Sequence, residues 1–190
     1  MVIGIVFSLV LLVVLFGLYG LYVGLVQKKN KVAEAFSSID VQLKKRYDLI
    51  PNILTIASKF MEHEKGLMTE LTELRTQALK LSSKLKDAKE KIALDKEISA
   101  KMGQLMVSVE NYPQLKSDAT MVTAMTTYNE VEEHIAAARR FYNSAVLELN
   151  NAVEIFPSSV IASMCNIQSQ EFFQTDEVSR KSVNASDYLK

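Results

Sequence analysis

The chain opens with a stretch that polar residues hardly interrupt, and continues with segments in which apolar positions recur every three or four residues. Val2 to Val26 is almost continuously apolar and carries no charge. About 25 residues make roughly 37 Å of helix, enough to cross a bilayer with some tilt, so a transmembrane helix is predicted here. A cleaved leader fits less well, because no basic segment precedes it and Tyr19-Gly20-Leu21-Tyr22 lacks a small-x-small cleavage site. Beyond the span, Val32, Ala35 or Phe36, Ile39 and Leu43 keep near-helical spacing, so the helix should continue out of the membrane.

The segment IDVQLKKRYDLIPN, residues 39–52, is expected to turn a corner. Asp40 and Lys44 stand four apart in the favourable acid-before-base order. Lys44, Lys45 and Arg46 would suit a helix C-terminus, where the dipole favours cations. Asp48 would then cap a new helix with Pro51 in its first turn, where no N–H is missed. Gln42 and Asn52 complete this polar motif.

The next helix is predicted from Asp48 to Leu85, on the seam Ile53, Ala57, Phe60, Glu64, Leu67, Leu71, Leu74, Ala78, Leu81 and Leu85. A turn follows within Leu81 to Lys91, capped by Ser83 or Asp87, and then a shorter helix over Ile92 to Val109. Pro113 ends that helix, and Ser117 or Asp118 caps the last one. Its seam runs Met121, Ala124, Tyr128, Val131, Ile135, Ala138, Tyr142, Ala145, Leu149, Ala152 and Phe156, making it the natural partner of the second helix. After Pro157 the tail holds Ile161, Met164, Phe172 and Phe173, enough to dock on the bundle.

These expectations collide in one place. A second helix of about 55 Å cannot lie straight beside a first helix that offers only about 30 Å outside the membrane, since Lys80, Lys84 and Lys86 would meet hydrocarbon. A bend at Lys28 to Lys31 resolves this better than one at Gly66, because the seam keeps its register through Gly66.

Composition and charge narrow the class. The fold predicted is all-α: a transmembrane helix over residues 1–27, an antiparallel bundle of long helices with a docked tail over 28–175, and a disordered end over 176–190. With 22 basic and 22 acidic residues the chain is neutral, which argues against nucleic acid. The single Cys165 forbids an internal disulfide and fits a reducing compartment. Lys28, Lys29 and Lys31 directly follow the span, so the positive-inside rule places the bundle in the cytosol and the N-terminus outside, with these lysines on lipid headgroups. Gly20 and Gly24 form a small-xxx-small pair through which another span, or a second copy, could approach.

Catalytic chemistry finds little support. His63-Glu64 lacks the second histidine of a zinc protease, since position 67 is Leu. Neither His63 nor His134 has the glutamate three residues earlier that a di-iron bundle needs. Glu64 is expected to pair with Arg139 or Arg140, while Tyr142 and Asn143 are candidates for hydrogen bonds across the bundle. No catalytic residue, cofactor or metal site is predicted. The competing reading is an enzyme or metal protein assembled from His63, Glu64, His134 and Arg139.

The residues IDVQLKKRYDLIPN at 39–52, HE at 63–64, ENYPQLK at 110–116, ARRFYN at 138–143 and FPSSVIASM at 156–164 together resemble the LemA family of bacterial membrane-anchored helical proteins. The resemblance spans nearly the whole chain. It implies an antiparallel helical bundle on one N-terminal span, with no established enzymatic activity, in the bacterial inner membrane. It also implies a membrane-protein partner, such as a membrane protease of the heat-shock type or another envelope-stress component.

Overall fold

The computed structural model describes residues 2–82 and 84–173, and these form helices and turns without a strand. Helix α1 runs Val2–Ala57, α2 Lys65–Lys80, α3 Ala88–Val109, α4 Pro113–Lys116, α5 Ala119–Glu154 and α6 Ser158–Met164. The all-α class, with a long apolar N-terminal helix leading into a helical bundle, is thus as the sequence predicts.

The expected corner does not exist. α1 passes unbroken through residues 39–52, Pro51 included. A proline inside a helix removes the N–H that would bond the carbonyl four residues earlier, here that of Tyr47. Arg75 of α2 supplies the missing donor, its Nε reaching Tyr47 O at 2.6 Å. The seam supports the same continuity: Ile39, Leu43, Arg46, Ile50, Ile53 and Ala57 are all buried at alternating spacings of four and three. Asp48 therefore caps nothing; it lies exposed, 3.9 Å from Arg75. Lys44 and Lys45 are exposed in mid-helix rather than at a C-terminus, and Asp40 pairs with Lys91 instead of Lys44. Asn52 is exposed, and the Gln42 Oε1 is buried without a hydrogen-bond partner among the described residues.

The chain reverses between Ser58 and Glu64, through backbone bonds such as Met61 N to Ala57 O and a short 3-10 turn over Glu62–Glu64. The predicted second helix is thereby cut into the end of α1, a turn, and α2. α1 is continuous through Lys28 to Lys31, and the chain breaks instead just before Gly66. Arg75 beside Tyr47 sets α2 antiparallel to α1, so Lys80 ends level with about Gln42, roughly 25 Å short of Leu25 along the helix. The expected collision with lipid disappears.

Four helices make an up-down-up-down bundle. Lys91 on Asp40 and Asp95 on Arg46 run α3 parallel to α1, while Glu132 on Arg46 and Glu148 on Lys31 run α5 antiparallel to it. The most extensive interface joins α1 to α5, and α2 packs chiefly on α3. The seam foreseen for α5 is observed from Met121 to Ala152, but Phe156 lies beyond the end of the helix and is 78% exposed; the main partner of the seam is α1, because α2 is too short to cover it. Of the two caps expected for α5, Asp118 is the one used, accepting from the N–H groups of Thr120 and Met121. Asp87 starts α3 while its carboxylate binds Ser82.

α1 also crosses the expected boundary between residues 27 and 28 without a break. Large apolar side chains from Val2 to Tyr19 are exposed, whereas Leu25 is 1% exposed and begins the core. The tail docks through Ile161, Ile167 and Phe173; Met164 and Phe172, also expected in the dock, are exposed. Residues 176–190, expected to be disordered, lie outside the described residues.

Candidate functional site

Halfway along the bundle, α1, α3 and α5 meet on charge rather than hydrocarbon. Arg46 is fully buried on the seam of α1. Its guanidinium donates to Asp95 Oδ1, to Ser99 Oγ at 3.0 Å, to Glu132 Oε1 at 2.8 Å and to the Asp95 carbonyl at 3.3 Å. Arg139 of α5 donates to the other Asp95 oxygen, so one carboxylate is held between two guanidiniums. Burial works against the Arg46 charge, but Asp95, Tyr128 and Glu132 outweigh it and keep the group firmly protonated. Burial pushes the Asp95 carboxyl above its ordinary range, against the pull of Arg46 and Arg139. The neighbouring phenols of Tyr47 and Tyr128 are also raised, chiefly by burial. One turn nearer the start of α3, buried Lys91 pairs with Asp40.

Asp95 opens on one side into a cleft of about 530 Å³ bordered by Lys89, Lys96, Arg139, Phe172 and Phe173. The rim is formed by the extended tail, clipped to α5 by two asparagines. Asn143 donates to Phe173 O and accepts from Phe173 N, both at 2.8 Å. Asn150 does the same for Gln170, at 3.0 and 2.8 Å. Seven residues of helix rise about 10 Å, and three residues of extended chain cover about the same length, so the two clips fit. Tyr142 adds a bond from its hydroxyl to Glu171 O at 3.2 Å and an edge contact to Phe173, while Arg139 lies over the Phe173 ring at 5.3 Å.

Of the polar contacts expected across the bundle, Arg139 joins two helices, whereas Tyr142 and Asn143 hold the tail. Glu64 is not a seam residue: it lies in the turn between α1 and α2 and forms no ion pair among the described residues, with Arg139 engaged by Asp95 instead. His63 and His134 are exposed on different elements, and no group of three His, Cys, Asp or Glu suited to a metal occurs among the described residues. Two of the three headgroup lysines are engaged within the protein, Lys31 at 2.8 Å and Lys28 at 3.9 Å from Glu148, whose carboxyl the Lys31 bond holds below its ordinary value. Sequence reasoning overlooked Lys91, Asp95, Ser99 and Glu132. The signal was available: stepping back from Ile98 by three and four reaches Asp95, Lys91 and Ala88, so the seam of α3 continues through charged residues.

Protein LemA of Metamycoplasma hominis is 25% identical over 173 residues, covering 89% of this chain and 78% of that protein. Magnetosome protein MamQ 2 of Paramagnetospirillum magneticum is 23% identical over 160 residues, 73% of this chain, which spans only 59% of that relative's length. Magnetosome protein MamQ of Magnetospirillum gryphiswaldense is 31% identical over a shorter stretch of 72 residues. The LemA family model matches residues 35–186, which take in the Arg46–Asp95–Arg139 cluster and the tail clips, and the chain belongs to the LemA family.

Proposed function

We propose that this protein is a non-catalytic, membrane-tethered interaction module whose bundle faces the cytosol and presents its helices to a membrane-protein partner, such as a membrane protease or another component of envelope-stress control. The observation that carries this reading is α1, one helix that is apolar and exposed over its first five turns and a buried stave of the bundle from Leu25 onward. Because the two parts share an unbroken backbone, the bundle stands on the membrane in a set direction instead of swinging on a linker. The ion cluster supports a structural role, since Arg46 and Arg139 pair with Asp95 and Glu132 and tie α1, α3 and α5 together, with only Arg46 Nε and Arg139 Nε left without a partner among the described residues. Gly20 and Gly24 leave a smooth strip on the span, where an added Cβ would meet nothing within 4 Å, and we assign it to contact with another span or a second copy.

The three lysines after the span support the orientation with the N-terminus outside. A Gln114→Cys, Cys165→Ser variant places the only thiol at the far end of the bundle. An impermeant maleimide should leave it unlabelled in intact cells and label it after permeabilisation. Labelling in intact cells overturns the orientation. For the partner, cross-linking in native membranes with mass spectrometry should recover a membrane protein, and recovery of soluble proteins alone argues against the assignment.

A further inference from the structure

The end of the bundle nearest the span differs from the rest of its surface. Between Glu154 and Glu171 the chain carries no charge for 16 residues, the longest such run outside the span. This run forms the elbow between α5 and α6 and then α6 itself, where Ile155 is 59%, Phe156 78%, Val160 52% and Met164 81% exposed. Exposed apolar residues gathered on one end of a domain mark a contact surface.

The register of α1 and α5 shows what lies against it. Lys31 faces Glu148, and Arg46 faces Glu132, so residue numbers across this antiparallel pair sum to nearly the same value. Continuing that register by seven residues takes Ile155 about 10 Å past the Lys31–Glu148 pair, level with Gly24. Gly24 lies in the last turns of the apolar segment Val2–Val26. α6 packs on α1, and Leu21 and Leu25 are covered by the bundle, so the elbow reaches the same depth as the end of the span. A span of roughly 37 Å exceeds a hydrocarbon core of about 30 Å, which leaves its last turns in the interfacial layer.

We propose that the α5–α6 elbow is a second membrane contact, in which Ile155, Phe156, Val160 and Met164 dip into the interfacial layer of the bilayer that α1 crosses. The contact is monotopic, resting apolar side chains at the boundary of headgroups and acyl chains without spanning. Lys28, Lys31 and Glu148 then form the polar tier directly above it. Two points of attachment prevent the bundle from rotating or tilting about α1 and hold one face toward neighbouring membrane proteins. The proposal rests on α1 being a membrane span, and it holds for either orientation of the chain.

The absence of tryptophan makes a direct test possible. Full-length protein carrying Phe156→Trp or Met164→Trp is reconstituted in phosphatidylcholine vesicles with bromines on the acyl chains, near the headgroups to test the elbow and near the bilayer centre to test the span. Val122→Trp, exposed about 50 Å away along α5, is the aqueous reference, and Leu12→Trp reports the span itself. Emission should fall at least about twofold for Phe156→Trp and Met164→Trp relative to unbrominated vesicles, and stay unchanged for Val122→Trp. If Leu12→Trp is quenched and neither elbow variant exceeds Val122→Trp, the elbow stands off the lipid or is covered by protein, and the proposal is refuted while the tether stands. If Leu12→Trp is not quenched, the tether fails and the second contact with it.

Discussion

Arg46 is the buried charge on which α1, α3 and α5 converge. It fills a seam position where Leu or Ile would pack, and four acceptor groups on α3 and α5 converge on it. Arg46→Met leaves Asp95 buried with one guanidinium instead of two, and should cost about 3–5 kcal/mol in urea unfolding of the detergent-solubilised protein. Adding Asp95→Leu removes the stranded charge and should recover most of that loss, since Arg139 and Glu132 both reach solvent. Tyr142 gives the pH dependence. Burial pushes its phenol up to about 12, so its contribution is complete below the ordinary phenol pKa of about 10 and is lost as pH rises through 12. Tyr142→Phe should be about 1 kcal/mol less stable than wild type at pH 8, and the gap should narrow steadily between about pH 10 and 12.

At the scale of elements, Pro51 and Arg75 act together. Proline frees the Tyr47 carbonyl, and Arg75 takes it, so an interruption in α1 becomes the point at which α2 is attached. Arg75→Met should cost about 1–3 kcal/mol, the penalty for an acceptor left unpaired. In a Pro51→Ala background the helix closes its own bond, and the same substitution should cost markedly less. A double-mutant cycle measures the difference, and a coupling near zero would mean that Arg75 serves α1 in some other way. The asparagine clips follow the same logic for the tail. Helix and extended chain have different rises, yet seven residues of one and three of the other coincide, so Asn143 and Asn150 engage Phe173 and Gln170 together.

For the whole molecule, the boundary between anchor and bundle lies inside a helix and is marked only by burial. A chain beginning at Leu21 keeps every core residue and should fold as a helical domain with cooperative thermal unfolding by circular dichroism. A chain beginning at Gln27 loses Leu25, buried at 1% exposure, and should be less stable by about 2–4 kcal/mol. Equal stabilities would show that the core begins after the lysines. The α5–α6 elbow belongs to the same boundary, since it lies level with the end of the span through the pairing of α5 with α1.

Local sequence pattern alone determined the span, the seam of α5 up to Ala152, a cap at Ser117 or Asp118 and the all-α class, because each depends on residues within a turn or two of one another. The same local rules misread residues 39–52: cations followed by Asp48 and Pro51 satisfy every local criterion for a stop and a new start. Tertiary structure decided otherwise, since the donor that makes Pro51 tolerable comes from Arg75, 28 residues from the carbonyl it serves. It also turned Asp95 and Lys91 from apparent surface charges into core, as only partners on α1 and α5 make their burial affordable. The pairing of α1 with α5 rested on length. Most of the positions in the seams predicted for the second and last helices pack as foreseen, Glu64 and Phe156 excepted, but the turn at Ser58 to Glu64 left α2 too short, and α1 has the length to run along the whole of α5.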